Sequence, residues 1–143
     1  MKTLTAANSV ILIGVSGLFP VPVQLQGFAA DDIFDTDQLD IAETVMGVDG
    51  KMSAGWVPQI VKQNYSLQAD SDSVNFFETW YQSQQRVREV YAAVGSILLP
   101  ATGRKYNMAK GILMGYSATP SAKKTLQPRK FTIAWEAITQ API

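Results

Sequence analysis

Cysteine and histidine are both absent from the 143 residues. Without cysteine there is no disulfide framework and no thiolate metal site, and without histidine the commonest general base and metal ligand is gone. A Ser-His or Cys-His nucleophile is therefore ruled out, and an enzymatic role is not expected. Charge is scarce too: 17% of residues are charged against 47% apolar, which describes a packed protein whose little-charged surface partners are expected to cover in part. Long apolar runs are also missing. The longest stretch, residues 10–19, is too short to span a bilayer as a helix, so no membrane span is expected. It follows Lys2 and precedes the small residues Gly27, Ala29 and Ala30, the outline of a secretory leader. Its Val and Ile content and the breaks at Gly14, Ser16 and Gly17 favour a hairpin instead, with a strand at 9–15, a turn at 17–20 and a strand at 22–28.

The length suits one domain with one core. Formal charge is zero but unevenly spread: residues 1–78 hold 10 acids and 3 bases, residues 79–143 hold 2 acids and 9 bases. If the halves occupy opposite surfaces, one copy attracts the next head to tail; if they intermix in space, the asymmetry vanishes. The acids concentrate at Asp31, Asp32, Asp35, Asp37, Asp40, Glu43 and Asp49, interleaved with Phe34, Leu39 and Ile41. No register supplies the glycine and glutamate of a calcium-binding EF-hand loop, and the interleaved apolar residues favour a partner-facing segment over a cation site. Asp49-Gly50 predicts a two-residue hairpin turn between arms at 41–48 and 52–57, so a long acidic loop and hairpin should occupy about 31–53.

Alternation over 57–67 predicts a half-buried strand. Asp70, Ser71, Asp72 and Ser73 then offer capping oxygens and negative charge to a helix N-terminus. Val74, Phe77 and Tyr81, flanked by Phe76 and Trp80, form one apolar stripe, which predicts a helix over about 72–85. Antiparallel strands at 87–99 and 105–117 should flank a turn at 100–104. Gly111 and Gly115 mark a bulge or a close backbone neighbour. A polar loop at 118–128 exposes Lys123 and Lys124, and a last strand follows. The expected class is mainly β, a sandwich or barrel with one flanking helix.

Chemical motifs are few. Glu89 and Glu136 are more simply solvated strand carboxylates than a catalytic pair, and Gly14, Gly17 and Gly27 lack the Gly-Lys-Ser/Thr ending of a phosphate loop. Arg86, Arg88, Arg104, Lys105, Tyr106 and Lys110 interleave basic and aromatic groups as single-strand binders do. A pI near 6.2 argues against a grip on phosphates. Trp56, Trp80 and Trp135 are expected as core aromatics, with one available as a subunit anchor. No cofactor is expected.

Four segments, Gly50-Lys51-Met52-Ser53-Ala54-Gly55, Leu67-Gln68-Ala69-Asp70-Ser71-Asp72-Ser73, Leu98-Leu99-Pro100-Ala101-Thr102-Gly103-Arg104-Lys105-Tyr106 and Leu126-Gln127-Pro128-Arg129-Lys130-Phe131-Thr132-Ile133-Ala134-Trp135-Glu136, resemble small tail tube proteins of contractile-tailed bacteriophages. The resemblance spans roughly residues 46–136. It implies a structural virion subunit whose six copies form a ring, with rings stacking into a hollow tube that passes double-stranded DNA without specific binding. It also implies tail sheath, baseplate hub, tail terminator and tape-measure proteins as partners, and assembly in the host bacterial cytoplasm. Asp31, Asp32, Phe34, Asp35, Leu39, Asp40 and Ile41 would then lie against a neighbour, with Arg104, Lys105, Lys123 and Lys124 as their target. A lumen should be polar and not strongly positive, for which Gln24, Gln26, Asn64, Ser66 and Gln68 are candidates. A baseplate or tail-terminator ring, the inner tube of a contractile secretion machine, and a monomeric β-sandwich binding module are the alternatives.

Overall fold

The computed structural model describes residues 3–29 and 33–142. After a 3-10 turn at Ala6–Asn8, β1 (Val10–Val15) and β2 (Phe19–Gln24) form the first hairpin, and β3 (Phe34–Thr36) is a short strand. A second hairpin, β4 (Ala42–Met46) and β5 (Met52–Trp56), leads to β6 (Val61–Leu67), helix α1 (Val74–Val87), and β7 (Ala93–Leu99), β8 (Arg104–Tyr116) and β9 (Arg129–Pro142). Seven strands make one sheet in the order β2-β1-β7-β8-β9-β6-β3, with every neighbour antiparallel; β4 and β5 pair only with each other. The chain is mainly β with one helix, as expected.

The sheet curls until its two ends nearly meet. Leu25 still donates to Ile11 O of β1 at 2.9 Å, yet three residues on Phe28 bridges to Leu67 of β6, and Gln68 N–H reaches Gly27 O at 2.8 Å. The corner between them needs Gly27, whose φ is +72° and whose added Cβ would lie 2.5 Å from Ser71 Oγ. The serines expected to cap α1 serve this corner instead. Ser71 Oγ donates to Gln26 O at 2.5 Å, while Ser73 Oγ accepts the Gln26 N–H at 2.7 Å and makes no cap bond of its own. The helix accordingly starts at Val74, without an acid in its first turn.

The predicted stripe is the buried one. Val74, Phe76, Phe77 and Trp80 are buried, and Tyr81 stacks on Tyr116 at 4.1 Å. Phe77 lies flat on Phe131 at 4.3 Å, Phe76 meets Phe19 at 4.7 Å, and Phe77 meets Tyr65 at 6.3 Å. Burial of each large side chain of this kind contributes about 1.5–3 kcal/mol. Arg129, 4% exposed, fastens the helix to the sheet: its guanidinium meets Glu78 Oε1 at 2.7 Å, donates to Ser117 O at 2.5 Å, and sits 5.3 Å over the Phe131 ring. α1 ends at Arg88, a non-glycine C-cap with φ 57°.

The long pair β8 and β9 changes its buried face midway. Phe131, Ile133 and Trp135 point into the core; Glu136 and Ala137 are both exposed, and Ile138 turns inward again. Opposite them, Leu113 and Met108 are buried on either side of Lys110, whose φ is 50°. Lys110 and Glu136 meet outside at 3.7 Å. Gly111 fits here because an added Cβ would stand 2.5 Å from the Trp135 ring, so the glycine answers to both predicted causes, a bulge and a close neighbour. This switch lets two strands serve both halves of a curled sheet.

Some expected boundaries move. The strand predicted at 22–28 is β2 at Phe19–Gln24, because the tight turn at 16–18 brings pairing in early. The strand predicted from 57 begins at Val61, and the one predicted from 87 begins at Ala93, since α1 runs on to Val87. The β4–β5 loop has three residues rather than two. Gly50 N–H donates to Gly47 O at 3.0 Å, Gly47 N–H donates to Lys51 O at 2.8 Å, and only Gly50, at φ +81°, is left-handed.

Candidate assembly interface

The β4–β5 hairpin stands off the body, with all ten strand residues exposed. Its register puts Ala42 opposite Trp56, Thr44 opposite Ala54 and Met46 opposite Met52 on one face. That face is apolar except for one threonine, and among the described residues nothing covers it. Trp80 and Trp135 are fully buried, as expected of core aromatics, but Trp56 is 77% exposed at the hairpin root. The reason is topological: 57–60 links the hairpin to β6 without folding it back, and Val57 N–H closes the root on Ile41 O at 2.8 Å. A free two-stranded hairpin is marginal in water, so a face of this composition calls for a cover.

Beside the root, the inner face of the sheet is open. Phe34, Leu39, Ile97, Leu99, Tyr106 and Ile138 line a cavity of about 410 Å³ that the helix does not reach. Deeper in the core, the Tyr65 hydroxyl donates to Gln63 Oε1, and burial pushes its pKa far above the ordinary phenol value.

Of the predicted interface residues, Asp31 and Asp32 lie outside the described residues. Phe34 and Leu39 line the cavity, Asp35 Oδ1 accepts from Asn64 at 2.7 Å, and Asp40 and Ile41 are exposed in the hairpin stem. Arg104, bonded to Gln140 at 2.9 Å, lies opposite the cavity residue Leu99, whereas Lys105, between Arg104 and Tyr106 in β8, belongs to the other face of the sheet. Lys123 and Lys124 are elsewhere, in the loop that meets Gln68 and Asp70 at the far end of β6. The charged halves of the sequence therefore intermix: Asp37 shares the cavity with Tyr106, near Arg104, while Asp70 stands with Lys123 and Lys124.

The five lumen candidates do not form one surface. Gln24 and Gln26 flank the start of α1 with Asn75 and Thr79. Asn64 is on the opposite side of β6 from Tyr65, accepting from Thr132 Oγ1 at 2.7 Å, and Gln68 is exposed past the strand end. Ser66 is 5% exposed and presents nothing to a channel, because residue 29 pairs across it. Parity along β6 could have separated Asn64 from the core; the crossing chain that hides Ser66 leaves no local signal.

Arg86 and Arg88 end the helix, and Lys110 pairs with Glu136, so the basic and aromatic residues form no continuous strip. Among the described residues, no three metal-ligating side chains gather, and no helix is long and apolar enough to cross a membrane.

The sheet margins are of three kinds. The edge strand β2 carries Pro20 and Pro22, which have no N–H to donate, in the irregular stretch between the Ile13–Val23 and Val15–Phe19 pairs. β3 is only three residues long. β9 beyond Trp135 pairs with β8 alone, since β6 stops opposite Trp135.

Comparison with known proteins found no match among curated sequences. Among solved structures, a chain of the PVC sheath-tube complex of an extracellular contractile injection system, in its extended state, aligns with a TM-score of 0.65 and 12% identity over 99% of this chain and 93% of its own. The tube-terminating cap of the anti-feeding prophage gives 0.64 and 10% over 100% and 93%, and that prophage's baseplate gives 0.62 and 8% over 99% and 98%. At such identities the likeness is one of fold. A family model described as tail fiber protein gp32 matches residues 2–139. The chain thus belongs to the tail fiber protein gp32 family, a structural tail protein with a tail-tube-like fold.

Proposed function

We propose that the chain is a subunit of an inner tail tube, assembling with itself into hexameric rings that stack into a conduit for DNA. Its role is structural rather than catalytic. The uncovered apolar face of the β4–β5 hairpin carries this reading, because it calls for a cover and none of the described residues supplies one. The fold likeness to chains of tube, cap and baseplate assemblies supports it. The open length of β9 offers backbone groups to a neighbouring copy, whereas β2 lacks two of the donors such pairing needs. Sheath, baseplate hub, terminator and tape-measure proteins are the further partners, and the host cytoplasm is where assembly takes place.

A second position in the same machine, a capping or baseplate ring, is favoured by the near-equal likeness to those assemblies. Negative-stain microscopy of the purified chain separates the two. Elongated hollow tubes are expected; rings that stop at one layer place the chain at an end of the tail. A monomer of 15.6 kDa that persists at high concentration rejects both.

A further inference from the structure

We propose that Met46 and Met52, paired across the β4–β5 hairpin, are an oxidation site at which peroxide switches the hairpin off as an assembly surface, a role that rests on the self-assembly proposed above. The chain has no cysteine, so thioethers are its only sulfur groups. Exposure sorts the four methionines of the described residues. Met108 is 3% exposed in the core, whereas Met46, Met52 and Met114 are 66%, 64% and 57% exposed. Met114 stands alone, at the register shift between Leu113 and Gly115 of β8. Met46 and Met52 instead face each other on the last pair before the hairpin loop, which the Gly47–Lys51 hydrogen bond closes at 2.8 Å. Directly opposed side chains of an antiparallel pair stand about 4.5–5.5 Å apart at Cβ, so the two sulfurs belong to one patch, continued by Thr44 and Ala54.

Hydrogen peroxide is the co-reactant. A methionine sulfur lone pair attacks one peroxide oxygen, the O–O bond breaks and an S–O bond forms, and the hydroxide released takes the proton of the new S–OH group to leave as water. Sulfur is thereby oxidised by two electrons and peroxide reduced. The product carries a strong acceptor oxygen where a flexible apolar side chain stood. In the free subunit that oxygen is hydrated, and the fold loses nothing. Against a neighbour it is costly, because the hairpin face supplies no side-chain donor except the Thr44 hydroxyl and a sulfoxide buried there lacks a partner. Cover by a neighbour also takes both sulfurs out of reach of peroxide, so the modification acts on unassembled subunits and spares finished ones. Thiol-dependent sulfoxide reductases reverse it, which makes the pair a switch rather than a lesion.

The test treats the full-length, unassembled chain with hydrogen peroxide and follows its peptides by mass spectrometry. Met46 and Met52 should each gain one oxygen roughly tenfold faster than Met108, and the oxidised chain should need a roughly tenfold higher concentration to assemble, with its thermal midpoint unchanged. Methionine sulfoxide reductases with a thiol should restore assembly. Met46→Leu/Met52→Leu should assemble as the parent does and ignore the same dose of peroxide, although Met114 is still oxidised; Met114→Leu should remain sensitive. Oxidation of both methionines without loss of assembly, or equal loss in the parent and in the double leucine variant, overturns the switch and leaves the tube reading standing. So does failure of the reductases to restore an oxidised, folded parent. That arm needs no substitution, and it decides the matter if leucine itself disturbs the hairpin. Failure of the untreated parent to associate at any concentration overturns the switch and the tube together.

Discussion

Arg129 holds the densest set of interactions in the molecule. Its guanidinium is buried, yet it touches a carboxylate, two backbone carbonyls and an aromatic face. Removing it leaves the carbonyls of Ser117 and Ala118 and the half-exposed Glu78 without their donor. Arg129→Ala should therefore cost about 3–5 kcal/mol in denaturant unfolding, and Arg129→Lys should recover only part, because an ammonium cannot serve the carboxylate and the carbonyls with one planar fork. Equal stability of the lysine variant and the parent would contradict this geometry. Such a role was not readable from the sequence. In Leu126-Gln127-Pro128-Arg129-Lys130 the arginine and lysine look alike, and only the pairing of β9 with β6 and β8 decides that Arg129 turns inward while Lys130 is exposed. Gly111 is the opposite case. A glycine inside an apolar strand points to a bulge or a close neighbour, and at Gly111 the close neighbour is Trp135.

Elements whose burial follows a single period were legible. The stripe on α1 and the alternation along β6 each report one face against one core, so their positions hold to within a few residues. Two kinds of feature escaped. Ser71 and Ser73 answer to the Gly27 corner, far away in sequence, and the buried face of β9 flips between Trp135 and Ile138, which no constant period can express. Trp56 is not the core aromatic its sequence suggests, because an aromatic in a strand looks the same whether or not its own chain covers it. The hairpin gives the test at this scale. Since none of its ten strand residues is buried and its ends already meet at Ile41 and Val57, replacing 42–56 by two glycines should leave the thermal midpoint within a few degrees of the parent and abolish assembly. A large drop in midpoint would mean that the hairpin supports the monomer.

For the whole molecule, the buried Tyr65 ties stability to alkaline pH. Below about pH 10 the phenol is protonated in both folded and unfolded chains and contributes no pH dependence. Above it the unfolded phenol ionises while the folded one retains its proton, so unfolding is favoured and stability falls by up to about 1.4 kcal/mol per pH unit. One of the five tyrosines should accordingly show phenolate absorbance only as the circular dichroism of the fold is lost. Ionisation of all five in an intact fold would show that Tyr65 is open to water. With neither histidine nor cysteine in the chain, the usual pH and redox sensors are absent.

Pro20 and Pro22 also bear on what the edge strand β2 can pair with. A curled sheet with two welcoming borders could recruit copies from both flanks and spread into an open ribbon, the route by which β-rich chains clump. Here β2 lacks two of the donors such a ladder needs, which makes that border the weaker template for an added strand.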